Sequence, residues 1–329
     1  MRLPDFDDQV FSRTVALRRG DTDDGLSRRQ RDGSLRRIRP GAYAIGDAWA
    51  SLHAEDRARW AAAATAHASR GAPLVFSHAT AAALHGLPLF RVDTTRVHLT
   101  VDGPARSTAR VLRHRMPLPP TDVEWIDEGI VGVTSLARTV VDLAGSLLTE
   151  AAVTIADAAL RQTALRGRAD PVPDLDLDAG EDLRLDLSDR IEARPGARGI
   201  RAARFVVAFA DARADRPGES ISRLYLHRLG YAPPGLQVAV PGPHGHDYAV
   251  DFDLGAAWGE FDGALKYTDP LYLRGRAPAQ ALADEKARED WIRGTTGKRI
   301  VRWQMPHLSS PETFGRLLRS FGIRPHPTE

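Results

Sequence analysis

The chain has no cysteine in 329 residues. That absence excludes disulfides, cysteine-ligated zinc and thiol nucleophiles, and it suits a reducing cytoplasm. Long apolar runs are missing as well. No stretch approaches the roughly 18 apolar residues of a membrane span. The N-terminal Arg2-Leu3-Pro4-Asp5-Phe6 lacks the apolar core of a secretion signal. A soluble, cytoplasmic protein with no membrane partner is therefore expected. Lysine is the third scarcity. Of 45 basic residues only Lys266, Lys286 and Lys298 are lysine, and all fall in the last quarter. Lysine offers a compact ammonium whose pKa can shift, which guanidinium cannot supply. Codon bias would also produce this clustering, but Lys266, which lies beside several carboxylates, is the lysine with a candidate role.

What is present is ordinary globular composition, 43% apolar and 27% charged, with a formal net charge of +2. Its distribution is uneven. Residues 28–39 hold six arginines (Arg28, Arg29, Arg31, Arg36, Arg37 and Arg39) against Asp32 alone. Residues 170–192 hold nine acids against Arg184 and Arg190.

The chain divides by pattern into four segments. In residues 6–45, Val10, Phe11 and Val15 suggest a first amphipathic helix. Leu35 to Ile45 is strand-like around Arg39-Pro40-Gly41, where Pro-Gly suits a type II turn. Helices followed by a basic hairpin describe a winged helix-turn-helix, with the arginines facing DNA phosphates. A solvated basic hairpin would look the same. Residues 46–165 read as mixed α/β. Ser77 would cap a helix stopped by Gly86, Val97–Val101 and Val111–His114 would be strands, and Thr134-Ser135 would cap another helix. His78 and His85 lie seven apart on one helical face, but with no third ligand in view they read as core or surface histidines. Residues 166–197 read as an acidic linker, in which the leucines at 175, 177, 183, 185 and 187 could form transient strands. Residues 198–329 read as helices, three strands, a helix, the strand Arg299–Trp303 and a last helix capped by Ser310, in the order αβββαβα. The expected class is α/β (α+β).

The most informative stretch runs from Asp251 to Lys266. It reads as a tight hairpin carrying Asp251, Asp253, Glu260 and Asp262. A two-residue turn at Ala256-Ala257 would set Asp253 opposite Glu260 and Asp251 opposite Asp262 on one face. Like charges opposite one another destabilise a sheet, and a divalent cation such as Mg²⁺, which takes hard oxygen ligands, would reverse that penalty.

This order, with Asp251-Phe252 on one strand and Glu260-Phe261-Asp262-Gly263 running on to Lys266, resembles the PD-(D/E)xK nuclease superfamily. Residues 217–305 look most like a domain family related to very-short-patch-repair endonucleases. Glu285-Lys286-Ala287-Arg288-Glu289-Asp290, Gly294 and Ile300-Val301-Arg302-Trp303 also fit. Residues 6–165 resemble the N-terminal regions of actinobacterial proteins related to type IV antitoxins of abortive-infection systems. That resemblance is carried by Leu35-Arg36-Arg37-Ile38-Arg39-Pro40-Gly41-Ala42-Tyr43, by residues 77–86 from Ser77-His78 to His85-Gly86, and by residues 134–144 around Arg138-Thr139. One departure stands out: the superfamily's lysine, two residues after the glutamate, is here Asp262.

The resemblance implies metal-dependent hydrolysis of DNA phosphodiester bonds. Asp251 and Glu260 would hold Mg²⁺ or Mn²⁺, Asp262 or Glu219 would complete the shell, and Lys266 or else Lys286 would replace the lysine. The rival expectations are a DNA-binding regulator or antitoxin, with an unidentified toxin as partner and a nuclease fold that no longer cuts, and a fold in which Asp251 and Glu260 merely pair with arginines.

Overall fold

A computed structural model of the chain describes residues 2–6, 9–69, 71–127, 129–167, 172–263 and 278–325. The chain forms two units, Met1–Ile155 with Asp186–Val207, and Ala156–Leu185 with Ala208–Glu329. Both mix helices with sheets, so the class is α+β. Among the described residues no helix is long and apolar enough to cross a membrane.

The first unit opens with β1 (Val10–Ser12), α1 (Arg13–Arg18), α2 (Asp23–Arg31), β2 (Leu35–Arg39) and β3 (Ala42–Ile45). The strands form an antiparallel sheet in the order β1-β3-β2. Val10 and Phe11 therefore lie on a strand, not on the expected helix. Pairing with Ala44 and Tyr43 buries both, and the helix begins only after Ser12, whose hydroxyl accepts the Val15 N–H. Thr22 caps α2 in the same way through the Gly25 N–H at 3.1 Å. The Pro40-Gly41 turn forms as expected, with Gly41 at φ +80°.

Next come α3 (Gly46–Ser51), α4 (Ala54–Ala68), β4 (Leu74–Phe76), α5 (His78–Leu84), β5 (Val97–Val101), β6 (Val111–Arg115), β7 (Val123–Asp127), β8 (Val131–Thr134), α6 (Leu136–Ala144) and α7 (Thr149–Ala164). The five strands lie in the order β6-β5-β4-β8-β7, with β4 parallel to β8 and β5 parallel to β6. Phe76, Ala81, Leu84, Val97, Leu99, Val131 and Val133 form its core. Arg138 on α6 is buried yet fully engaged on one side. Its Nε donates to Asp142 at 2.8 and 3.0 Å, and its Nη1 donates to Asp122 at 2.9 Å and to Pro117 O at 3.1 Å.

The acidic segment is not a linker. After β9 (Leu165–Gly167) and β10 (Asp174–Leu175), residues Leu177–Glu192 form helix α8. The leucines that seem to alternate also recur every four residues. Leu183, Leu187 and Ile191 share a helical face on which Leu187 and Ile191 are buried. The acids point elsewhere and pair along the helix, Glu181 with Arg184 and Asp186 with Arg190.

The remainder is α9 (Ile200–Phe209), α10 (Pro217–Arg228), β11 (Gly235–Pro241), β12 (Asp247–Asp253), β13 (Ala257–Phe261), α11 (Pro278–Thr296), β14 (Arg299–Trp303) and α12 (Pro311–Ser320). The sheet order is β11-β12-β13-β14, antiparallel except that β13 and β14 run parallel. Helix α10 is held tightly against this sheet. A Cβ at Gly218 would penetrate the Phe261 ring. The Trp303 indole N–H donates to Ser222 Oγ at 2.7 Å, and Arg223 Nη2 grips both oxygens of Asp157 at 2.8 and 2.9 Å. Gly218→Ala is expected to destabilise the fold by about 1–3 kcal/mol, the usual cost of overpacking, read as a lowered melting temperature. An unchanged melting temperature would show that the Phe261 ring yields freely.

Candidate functional site

The close approach at Gly218 delivers its neighbour Glu219 into the second unit's sheet, where it is only 3% exposed. Glu219 accepts the Asp215 N–H at 3.0 Å and the Gln237 side-chain amide at 2.9 Å. The same amide lies 3.4 Å from Asp251 Oδ1. Gln237 sits on β11 between the pairs Leu236–Phe252 and Val238–Val250, and its φ of +48° is strained for a non-glycine residue. Asp251 Oδ2 accepts the Phe261 N–H at 2.8 Å. One amide thus bridges two carboxylates. Burial, then the charge of Asp251, drives the Glu219 carboxyl well above its ordinary range.

The expected pairing of the four carboxylates does not form. Phe252 pairs with Gly259 and Asp253 with Trp258, a register two residues away from the expected one. The hairpin turns at Gly255-Ala256, closed by the Leu254 N–H to Ala257 O bond at 3.0 Å, rather than at Ala256-Ala257. Gly255 takes φ +75°, and the first central position of a two-residue hairpin favours glycine for that reason. Asp253 is drawn instead to Lys298 Nζ at 2.7 Å, and that ammonium lies 4.2 Å from the Trp258 ring centroid.

Glu260 is buried and answered by arginines. Arg302 Nε donates to it at 3.0 Å, and Arg288 Nη2 forms an ion pair with its other oxygen at 2.8 Å. The latter contact lacks hydrogen-bond alignment, and Arg288 Nη2 donates to Ala249 O. Arg302 also reaches Glu285 at 2.7 Å. Glu219 and Asp251 are therefore brought together, while Glu260 has its own cations. Asp262 is half-buried, and its backbone N–H donates to Trp303 O at 2.8 Å. Lys286 is exposed on α11, and Lys266 lies outside the described residues. Among the described residues, no three carboxylates bring ligand atoms within 4.8 Å of one another.

His78, read from the sequence as a core or surface histidine with no third ligand in view, is buried and has two further histidines beside it. A histidine triad forms, and it forms without His85, whose Nε2 is 2.8 Å from Thr134 O. His78 opens α5, His98 lies on β5 and His114 on β6, and one ring nitrogen from each lies within 4.8 Å of the others. The Ser77 N–H to His98 O bond (3.1 Å) and the His98 N–H to Thr80 Oγ1 bond (2.9 Å) join α5 to β5. The parallel register of β5 and β6 sets His114 two residues beyond the partner of His98. Burial and the neighbouring imidazoles press His78 down to about 2 and His98 to about 4, and burial lowers His114. Burial thus disfavours the protonated form of all three, and the triad could hold a metal ion. Sequence spacing gives no sign of the triad because its members lie on three elements.

Of the six arginines at 28–39, Arg28, Arg31, Arg36 and Arg37 are exposed. Arg29 pairs with Asp21 at 3.4 Å. Arg39 is 5% exposed, and burial, then Arg110, lowers its guanidinium to about 10. It cannot face a phosphate as expected, because it ends β2 against the unit's interior.

The raised Glu219 pKa sets the sign of a pH effect. The folded chain holds that proton more tightly than the unfolded chain, so the contribution is full below the ordinary carboxyl range and is lost as pH rises through the folded value. In EDTA, the melting temperature of the wild type should fall with rising pH relative to Glu219→Gln. Parallel pH profiles for the two proteins would show that Glu219 is ionised at no extra cost.

No family model matches the chain. It is 34% identical over 102 residues to the uncharacterized protein MT2308 of Mycobacterium tuberculosis strain CDC 1551 / Oshkosh and, equally, to the uncharacterized protein Rv2248 of strain H37Rv. The match covers 31% of this chain, which spans only 35% of the length of these relatives.

Proposed function

We propose that the chain is a DNA-binding protein whose second unit carries a metal-dependent phosphodiesterase site of the PD-(D/E)xK type. The observation that carries this reading is the pair Glu219 and Asp251 bridged by the amide of the strained Gln237. A carboxyl driven toward its protonated form by burial, and further by a neighbouring carboxylate, is the environment a divalent cation relieves. The donors are hard oxygens, which suits Mg²⁺ or Mn²⁺. Glu219 and Asp251 would hold the ion, and Asp262 would complete the shell directly or through water. Glu260 would join only by giving up an arginine, so its role is to fix Arg288 and Arg302 beside the site. Lys266 would stabilise the leaving oxygen. A bound ion would supply an acidified water and offset charge on the phosphate.

The helix pair α1–α2 followed by the basic β2–β3 hairpin supports a winged helix-turn-helix for residues 6–45. The four-stranded sheet with α10 packed against β13 supports the nuclease-like fold. In this reading Arg28, Arg31, Arg36 and Arg37 contact phosphates. The neutralisation of Glu260 by two arginines, together with Asp262 at the lysine position, favours a second reading as a DNA-binding regulator related to antitoxins.

The test is cleavage of plasmid and single-stranded DNA with Mg²⁺ or Mn²⁺, run alongside binding across salt concentrations. Cleavage should vanish in Asp251→Asn and Glu219→Gln. Replacing Arg36 and Arg37 with Ala should reduce the salt slope by about 0.9 for each phosphate that is no longer neutralised, while a conservative change at buried Arg39 leaves the slope unchanged. Tight DNA binding without cleavage would replace the enzyme with the regulator.

A further inference from the structure

We propose that His78, His98 and His114 form a Zn²⁺ site in the first unit and leave a coordination position for an anion held in the adjoining cavity. Three imidazoles without a carboxylate or thiolate suit borderline transition metals rather than Mg²⁺. Three protein ligands with an open fourth position is the pattern of zinc sites that bind a further group. His98 Nδ1 lies 3.0 Å from His114 Nε2. Two nitrogens at about 2.0–2.1 Å from a tetrahedral zinc would sit roughly 3.3 Å apart, so this pair is already close to the required spacing.

One ring has an orienting partner. Ser77 Oγ, 3.1 Å from His78 Nδ1, leaves Nε2 of that ring as the ligand. Asp93 and Asp142 add negative charge through space near His98 and His114, which favours a cation there. The rings of His78 and His114 are stacked 3.6 Å apart and 11° from parallel. A metal lies in the plane of each imidazole that binds it, so one ring must tilt out of the stack as the ion enters. His78 already stands at φ +49°, a conformation in which non-glycine residues are retained under strain.

The anion follows from a separate observation. His78 borders a cavity of about 930 Å³ that Arg138, Arg194 and Arg198 also line. Arg138 is 1% exposed, and its Nη2 is buried without a hydrogen-bond partner. Asp122 and Asp142, the acids of the same cavity, are each already bound by two arginines. Arg138 Nη2 is itself sealed from solvent, so a phosphate-like oxyanion would reach it by a small shift of its surroundings while supplying an oxygen to the metal.

The tag-free 329-residue chain is stripped with chelator, loaded with Zn²⁺, desalted and analysed for metal, and Co²⁺ is then substituted as an optical probe. About one zinc per chain, an intense tetrahedral cobalt spectrum and a shift of that spectrum on adding inorganic phosphate are expected. His98→Ala and His114→Ala should lose the metal, while Glu219→Gln retains it. A wild type that retains no zinc, or a pale octahedral cobalt spectrum, overturns the site. So does unchanged zinc content in either histidine variant with native circular dichroism. A cobalt spectrum indifferent to phosphate overturns the open position. If a histidine variant does not fold, a Zn²⁺-dependent rise in the wild-type melting temperature, which Mg²⁺ does not reproduce, carries the decision; no rise rejects the proposal.

Discussion

A charge buried away from water must be answered within hydrogen-bond reach, and this requirement organises both units. Arg138 joins Asp122 and Asp142 beneath α6, Arg223 joins Asp157 to α10, and Arg302 joins Glu260 to Glu285. Each task asks one cation to serve two or more acceptors in fixed directions. The planar guanidinium does this and an ammonium does not, which gives the scarcity of lysine a structural sense. The one lysine with a described ion pair, Lys298, bonds a single half-buried carboxylate and rests on an aromatic face.

Two places gather groups of one kind instead of pairing opposite charges. At Glu219 and Asp251, two carboxylates share an amide. At the histidine triad, three basic rings crowd into a region that disfavours their protonation. Each place includes a non-glycine residue at positive φ, Gln237 in one and His78 in the other. Backbone strain persists only where surrounding structure enforces it. Here the enforcement is visible: ladder pairs on both sides of Gln237, and the hydrogen bonds that tie α5 to β5 around His78.

Much of the second unit's fold was legible in the chain. The strand Arg299–Trp303 has the bounds its β-branched and aromatic residues suggest, and the last helix begins at the Ser310 cap. Gly41 takes the positive φ that Pro-Gly implies. Elsewhere local pattern misled. Val10 and Phe11 pass for a helical face, but the chance to pair with β3 decides their state. The leucines of 177–192 satisfy both a period of two and an interval of four, and burial of Leu187 and Ile191 selects the helix.

The sequence by itself determined which acids the hairpin carries, where arginines concentrate, and the order of the described elements from 198 onward. These are local properties, set by spacing, caps and turn residues. Only the tertiary structure decided the partners. Shifting the turn by one residue, to the glycine that tolerates positive φ, moved the register by two and set Asp253 opposite Trp258 instead of Glu260, so the expected carboxylate pairs are lost. Parallel pairing of β13 with β14 set Arg302 beside Glu260, 42 residues earlier in the chain. The histidines at 78, 98 and 114 met because three separate elements close on one point. Electrostatics and coordination act through space, so groups distant in the chain acquire these properties only when packing fixes their separation.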